Sequence, residues 1–322
     1  MQILVTGGAG FIGSHLCDRL ITDGHQVVCL DNFNAFYSPE IKYANLSNII
    51  NHPAFTLIEG DIRYPDDLDK CLIQNKIDIV IHLAAMAGVR PSIENPELYA
   101  DVNIMGTLQV LQACQRHNVI KLIFASSSSV YGNKEGGAFK ETDNVDNPIS
   151  TYAATKRAGE LLCYNWHYLN GLSVVCLRFF TVYGPRQRPD LAIYKFTRLI
   201  YEGKTIPVFG DGTSSRDYTY VDDTVDGVIK AMDYIVAKQC FEVYNLGESK
   251  TINLLEMIKT IESVSGKQAK LDWQPKQIGD VDYTCADITR SKEILNYNPT
   301  YSFEAGIRNF ISWFEHSNRL DC

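Results

Sequence analysis

In the stretch "STYAATKRAGE", Tyr152 and Lys156 stand four residues apart, so a helix there sets a phenol and an ammonium on one face. A tyrosine titrates near 10 and is a poor base at neutral pH. A neighbouring cation favours the phenolate. Bringing the phenol to about 7 takes roughly 4 kcal/mol at about 1.36 per unit, which two cations in a low-dielectric cleft can supply. The phenolate could then take a hydroxyl proton while a hydride leaves the same carbon. Upstream, "FASSSSVYG" ends an apolar run in hydroxyls.

A hydride needs an acceptor, and the first residues supply a place for one. "VTGGAGFIG" follows an apolar run and opens an amphipathic one. Gly8, Gly10 and Gly13 fit G-x-G-x-x-G, and Gly7, Gly10 and Gly13 fit the G-x-x-G-x-x-G variant. Glycines there let a pyrophosphate approach the N–H groups at the start of a helix, beside Phe11 and Ile12. Asp31 ends the next apolar run. A carboxylate at that place accepts hydrogen bonds from adenosine ribose hydroxyls and repels a 2′-phosphate, which favours NAD over NADP. "EGDIR" offers Asp61 and Ile62 to the adenine, and "HLAA" offers Leu83, Ala84 and Ala85 to the rest of the dinucleotide.

These residues fall at the ends of predicted strands. "QILVTG", "HQVVCLD", "FTLIEGD", "DIVIHLA", "KLIFASS" and "SVVCLRFF" are short apolar runs, separated by amphipathic stretches near 12–23, 66–74, 96–117 and 151–169. Apolar strands alternating with helices predict an α/β fold, a doubly wound parallel (Rossmann) sheet whose ligands bind at the strands' C-terminal ends. After residue 181 the pattern changes to Gly-rich turns, with helical periodicity near 191–202, 222–236, 253–264 and 304–316. The expected division is an NAD-binding unit over 1–180, with elements from about 222–248, and a smaller α/β substrate lobe over 181–322 interleaved with it.

Composition narrows the function classes. The chain has 322 residues, 45% of them hydrophobic and 21% charged, as in ordinary globular proteins. A net charge of -8 gives no global support for nucleic-acid binding. The nine cysteines show no C-x-x-C pair, which predicts core thiols in a reducing cytoplasm. No apolar run reaches the roughly 18 residues of a membrane span, so no membrane partner is expected. His15 and His82 lack carboxylate or cysteine partners at metal spacing, so no metal is expected.

Taken together, the glycine turn, Asp31, "HLAA", the serine run before "VYG" and Tyr152-x-x-x-Lys156 resemble the extended short-chain dehydrogenase/reductase superfamily over essentially the whole chain. The resemblance implies that Tyr152 is the base, with the nicotinamide ring as its second cation, and that Lys156 holds the nicotinamide ribose. It implies that Ser127 hydrogen-bonds the reacting oxygen and relays the proton. Asn32 and Asn103 join the cofactor-binding set. Relatives that dehydrate sugar nucleotides or decarboxylate nucleotide uronates carry an acid before "YG", where Ser128 and Ser129 stand here. Without that acid the implied course is oxidation, rotation of the keto sugar and return of the hydride, which is epimerisation.

"RFFTVYGPRQRPD" and "AGVR" at 87–90 resemble the UDP-glucuronate 4-epimerases, with Thr181 where many 4-epimerases carry asparagine. Thr181 and Arg188 suit a uronate carboxylate, and Arg186 could serve the same anion or brace the loop. The same arginines could instead face only the diphosphate. The resemblance implies diphosphate contacts from Arg216 and Arg90 and a uridine-ribose contact from Asp280 in "IGDVDYTCAD". The first reading is thus UDP-glucuronate and UDP-galacturonate interconversion by a homodimer that pairs the helices near 96–117 and 151–169. A 4-epimerase of UDP-glucose or its N-acetyl form, a decarboxylase or dehydratase, and a non-catalytic NAD-binding protein are the alternatives.

Overall fold

The structure is a computed structural model that describes residues 1–73, 75–134, 136–276 and 281–317. The six apolar runs form strands close to their expected limits: β1 (Gln2–Thr6), β2 (Gln26–Asp31), β3 (Phe55–Glu59), β4 (Ile79–His82), β5 (Lys121–Ser127) and β6 (Ser173–Phe179). β4 and β6 are buried at every residue, because helices cover both faces of the sheet. The chain continues through β7 (Thr181–Tyr183), β8 (Thr205–Phe209) and β9 (Ser215–Tyr220). It then returns to the sheet as β10 (Phe241–Leu246) and ends with β11 (Thr251–Asn253) and β12 (Lys270–Gln274). The main sheet is parallel, ordered β10-β6-β5-β4-β1-β2-β3. β1 lies between β2 and β4, with Ile3 opposite Val27 and Ile79. The strand order reverses at that border, where the C-terminal ends of the strands open a crevice. β7, β9 and β11 form a second sheet, and β8 pairs with β12.

The helix that carries Tyr152 and Lys156 spans Thr151–Asn170. Ser150 caps it by accepting the Ala153 N–H at 3.2 Å, and Gly171 closes it in the left-handed conformation. A Cβ on Gly159 would overlap the Phe124 ring of β5, so the glycine lets this helix lie close on the sheet. The stretch near 96–117 is not one regular helix. Pro96–Ala100 and Gly106–Arg116 are joined by a π-helical turn, Asp101–Met105, which turns Asn103 inward. A helix at Pro39–Leu46, capped by Ser38 with proline in its first turn, was not marked by apolar periodicity.

Candidate active site

The crevice holds a cavity of about 500 Å³. Gly7, Gly10, Phe11, Ile12 and Gly13 line one end. Gly7 has φ +73°, and a Cβ on Gly13 would overlap the Gly7 carbonyl oxygen, so the loop closes on the helix start only with glycine. Asp31 is buried at the end of β2. Its Oδ1 accepts the Phe33 N–H at 2.9 Å and the Lys42 ammonium at 3.2 Å, and its Oδ2 accepts the Ala9 N–H at 3.2 Å. Asn32, Asp61, Ile62, Leu83, Ala84 and Ala85 complete this wall. Burial pushes the Asp61 carboxyl up, but hydrogen bonds from Arg63 and Asn32 outweigh it and hold it below the usual range. Helix-start N–H groups, a buried carboxylate and an apolar wall fit an adenosine dinucleotide.

Asn103 stands behind that wall rather than on it. Its side chain takes the Met86 N–H at 2.8 Å and gives to the Met86 carbonyl at 2.9 Å, bracing the segment after β4. His82 is part of the same bracing. Thr107 gives its one proton to the Asn103 carbonyl at 2.6 Å, so the neutral His82 donates from Nε2 to Thr107 at 3.1 Å and its Nδ1 accepts the Thr6 hydroxyl at 2.7 Å. The Thr6 hydroxyl also accepts the Ala84 N–H. Burial, with the Lys156 charge, pushes the His82 pKa down to about 3, so this imidazole is neutral.

Tyr152, Lys156, Ser127, Ser128 and Ser129 line the middle of the cavity. Lys156 is buried and its ammonium donates to the Ala125 carbonyl at 2.7 Å; burial lowers its pKa to about 8. Ser127 Oγ accepts both the Ser129 N–H at 3.2 Å and the Ser129 hydroxyl at 2.9 Å. Its own proton is left for Tyr152, with which it forms a hydrogen bond. Burial pushes the Tyr152 hydroxyl above its ordinary value, while the Ser127 hydrogen bond and the Arg188 charge pull it back. Arg188 is thus a second protein cation facing the phenol, while the Lys156 ammonium is engaged by the Ala125 carbonyl of β5.

At the other end, Thr181 opens β7 and lines the cavity with Arg188 and Arg216. Arg188 Nε and Nη2 donate to the two carboxylate oxygens of Asp190 at 2.9 and 2.8 Å, and its guanidinium lies 5.3 Å from the Phe36 ring centre. Two further candidate cations have protein partners here. Arg186, at φ +62°, pairs with Asp18 of the first helix at 2.8 Å and is off the wall. His15 of that helix supports the same loop by donating Nε2–H to the Pro185 carbonyl at 2.9 Å, and burial holds its pKa at about 4. The Arg90 guanidinium lies over the Phe209 ring at 5.3 Å, also off the wall. Asp280 lies outside the described residues. Among the described residues, no group of three or more His, Cys, Asp or Glu could hold a metal ion, and no helix is long and apolar enough to cross a membrane.

Residues 3–247 match the NAD dependent epimerase/dehydratase family. The chain belongs to that family. It is therefore an enzyme whose cofactor is NAD. It is 41% identical over 318 residues to a UDP-glucuronate 4-epimerase of Thermodesulfobacterium geofontis, covering 98% of this chain and 97% of the relative. A solved UDP-glucuronic acid 4-epimerase from Bacillus cereus, in complex with UDP-glucuronic acid and NAD, superposes with TM-score 0.93 at 39% identity. The match covers 98% of this chain and all of that one. The fold does not separate substrates by itself, since a UDP-glucose 4-epimerase from Thermotoga maritima, solved with UDP-glucose, superposes with TM-score 0.90. It shares 32% identity, over 99% of this chain and all of that one.

Two supports of this epimerase/dehydratase site escaped sequence reasoning. Glu160, one turn beyond Lys156, accepts the Ser126 hydroxyl at 2.6 Å and a double hydrogen bond from Arg178 of β6 at 2.8 and 2.9 Å. Arg178 reaches Tyr131 at 3.0 Å, and Tyr131 donates to Asn245 of β10 at 2.7 Å. This buried network ties the Tyr152 helix to the serine end of β5. Its available signal was the extension of Tyr152 and Lys156 by one more four-residue step. Lys42, the partner of Asp31, is on the cavity wall and comes from the unforeseen helix Pro39–Leu46.

Proposed function

We propose that this NAD-dependent sugar-nucleotide 4-epimerase interconverts UDP-glucuronate and UDP-galacturonate. Arg188 carries the reading. It places a fork-shaped cation on the cavity wall with Thr181, near enough to Tyr152 for the two to shift each other's titration. A uronate carboxylate next to C4 suits that cation, and a neutral hydroxymethyl group gives it nothing to bind. Two of the similar proteins named above are UDP-glucuronate 4-epimerases, which supports the same choice.

NAD, when bound, would supply the hydride acceptor and donor at C4. Gly7, Gly10 and Gly13 would let its pyrophosphate approach the first helix, Asp31 would accept from its adenosine ribose, and Lys156 would hold the nicotinamide ribose. Tyr152 removes the C4 hydroxyl proton and returns it after the sugar has turned. Ser127, with its lone pairs filled by Ser129, donates to the Tyr152 oxygen and steadies the phenolate. The 4-keto sugar is a β-keto acid and loses carbon dioxide when its C–CO2 bond aligns with the ketone π system. Thr181, Arg188 and the hydroxyls of Ser128 and Ser129 hold the carboxylate out of that alignment. Arg216 meets the diphosphate. The main sheet, residues 1–180 with elements from 222–248, takes NAD, and the lobe over 181–322 takes the sugar nucleotide.

We also assign the chain to a homodimer and to the cytoplasm. Leu161, Tyr164, Tyr168 and Leu169 form an exposed apolar stripe on the Thr151–Asn170 helix, and Leu98 and Met105 are exposed on the neighbouring helical segment. The described cysteines are free thiols, as a reducing compartment requires. Incubation with a panel of UDP-sugars, followed by proton NMR, tests the substrate. UDP-galacturonate should form from UDP-glucuronate, and turnover of UDP-glucose or UDP-N-acetylglucosamine alone would overturn the assignment.

A further inference from the structure

We propose that Asp190 is a resident carboxylate that tempers uronate binding, occupying the Arg188 fork until the carboxylate of a uronate substrate displaces it. The inference rests on the uronate reading of the site. Asp190 engages Arg188 through both carboxylate oxygens, at 2.9 Å from Nε and 2.8 Å from Nη2. This is the two-point geometry that a uronate would use on the same guanidinium. The two residues share one tight turn, closed by the Leu191 N–H on the Arg188 carbonyl at 3.2 Å, so they reach the pair from one short segment. Arg188 and Leu191 both line the cavity, whereas Asp190 does not.

Exposure gives the exchange a direction. The Arg188 side chain is 16% exposed and that of Asp190 is 40% exposed. A displaced Asp190 moves into water, so exchange leaves no unpaired charge buried. The Phe36 ring under the guanidinium keeps its plane in place while the partner changes. A sugar with a neutral hydroxymethyl group has no anion to trade for Asp190 and leaves the pair closed. Asp190 therefore competes with acidic substrates and leaves neutral ones unaffected. Loss of its charge should tighten acidic substrates selectively.

Asp190→Asn keeps the shape and one acceptor oxygen and removes the charge. Dissociation constants of UDP-glucuronate and UDP-glucose, measured by calorimetry on the NAD-loaded enzyme, test the idea. Binding of UDP-glucuronate should tighten roughly two- to fivefold, the scale of a part-exposed ion pair, and UDP-glucose should be unchanged. Asp190→Glu should restore wild-type values, and in an Arg188→Gln background Asp190→Asn should change neither ligand. Weaker binding of UDP-glucuronate in Asp190→Asn would mean that Asp190 orients Arg188 instead of yielding it, and equal changes for both sugars would mean a loop effect. Either result overturns the proposal. If wild-type enzyme fails to turn over UDP-glucuronate, the uronate reading itself is wrong, a failure seen before any variant is made.

Discussion

Arg188→Gln separates the two duties proposed for this residue. The change removes the cation and keeps most of the side chain's length. It orphans Asp190, whose side chain is already 40% exposed, so the carboxylate relaxes into water and folding stability should move by less than about 1 kcal/mol. A charge-assisted contact to a substrate carboxylate in a closed cleft is worth on the order of 2–5 kcal/mol, or tens to thousands of fold in kcat/KM. UDP-glucuronate should lose that much. A neutral UDP-sugar makes no such contact and should lose only what Arg188 does for Tyr152. That part has a sign: without the Arg188 charge the tyrosine titrates higher, so the acid limb of the rate profile should move to higher pH for every substrate. A carboxylate freed to rotate should also let some keto intermediate lose carbon dioxide, leaving bound NADH and a UDP-4-keto-pentose. The assays are initial rates over a pH series, absorbance of enzyme-bound NADH and mass spectrometry of the sugar nucleotides. Equal losses for acidic and neutral sugars, with no NADH accumulation, would assign Arg188 to the diphosphate and refute the reasoning.

Tyr152→Phe should reduce kcat by at least about a thousandfold and leave the UDP-sugar dissociation constant within a few-fold, because the ring stays and only the base is lost; near-normal turnover would remove Tyr152 from the mechanism. His82→Gln tests the buried neutral imidazole. The folded pKa of about 3 lies below the unfolded 6.5, so the His82 contribution is complete above 6.5 and lost as pH falls toward 3. At about 1.36 kcal/mol per unit, the stability gap between wild type and the non-titrating variant should narrow by roughly 2 kcal/mol from pH 7 to pH 5 in urea titrations, and a constant gap would contradict a neutral His82. Light scattering should find twice the 36.2 kDa chain mass, and Leu161→Glu with Tyr168→Glu should yield the monomer.

What the sequence made legible was local. Glycine spacing, continuous apolar strands and Tyr152 with Lys156 on one helix face each depend on residues near one another, and they locate the six strands, the glycine end of the cavity and the Tyr152–Lys156 pair on its wall. What it hid was long-range. β10 joins β6 after a gap of more than sixty residues, and its inner half pairs through Asn245 with a network that no periodicity announces. Arg186 and Arg188 look alike in "GPRQRPD", yet a left-handed backbone at Arg186 turns its side chain to Asp18 and leaves Arg188 on the cavity wall. The π-helical turn that turns Asn103 inward against Met86 has no simple sequence signature. The titration of Tyr152 answers to its burial, its Ser127 hydrogen bond and the Arg188 charge, and the last comes from a loop whose path the sequence does not announce.

The central claim is that hydrogen leaves C4, stays in the site and returns to the opposite face, with the carboxylate retained. UDP-glucuronate deuterated at C4, incubated with the enzyme in ordinary water, tests it directly. Mass spectrometry and proton NMR of the sugar nucleotides should find UDP-galacturonate with deuterium still at C4 and no UDP-pentose. Hydrogen from water at C4, or a pentose as the main product, would contradict the account.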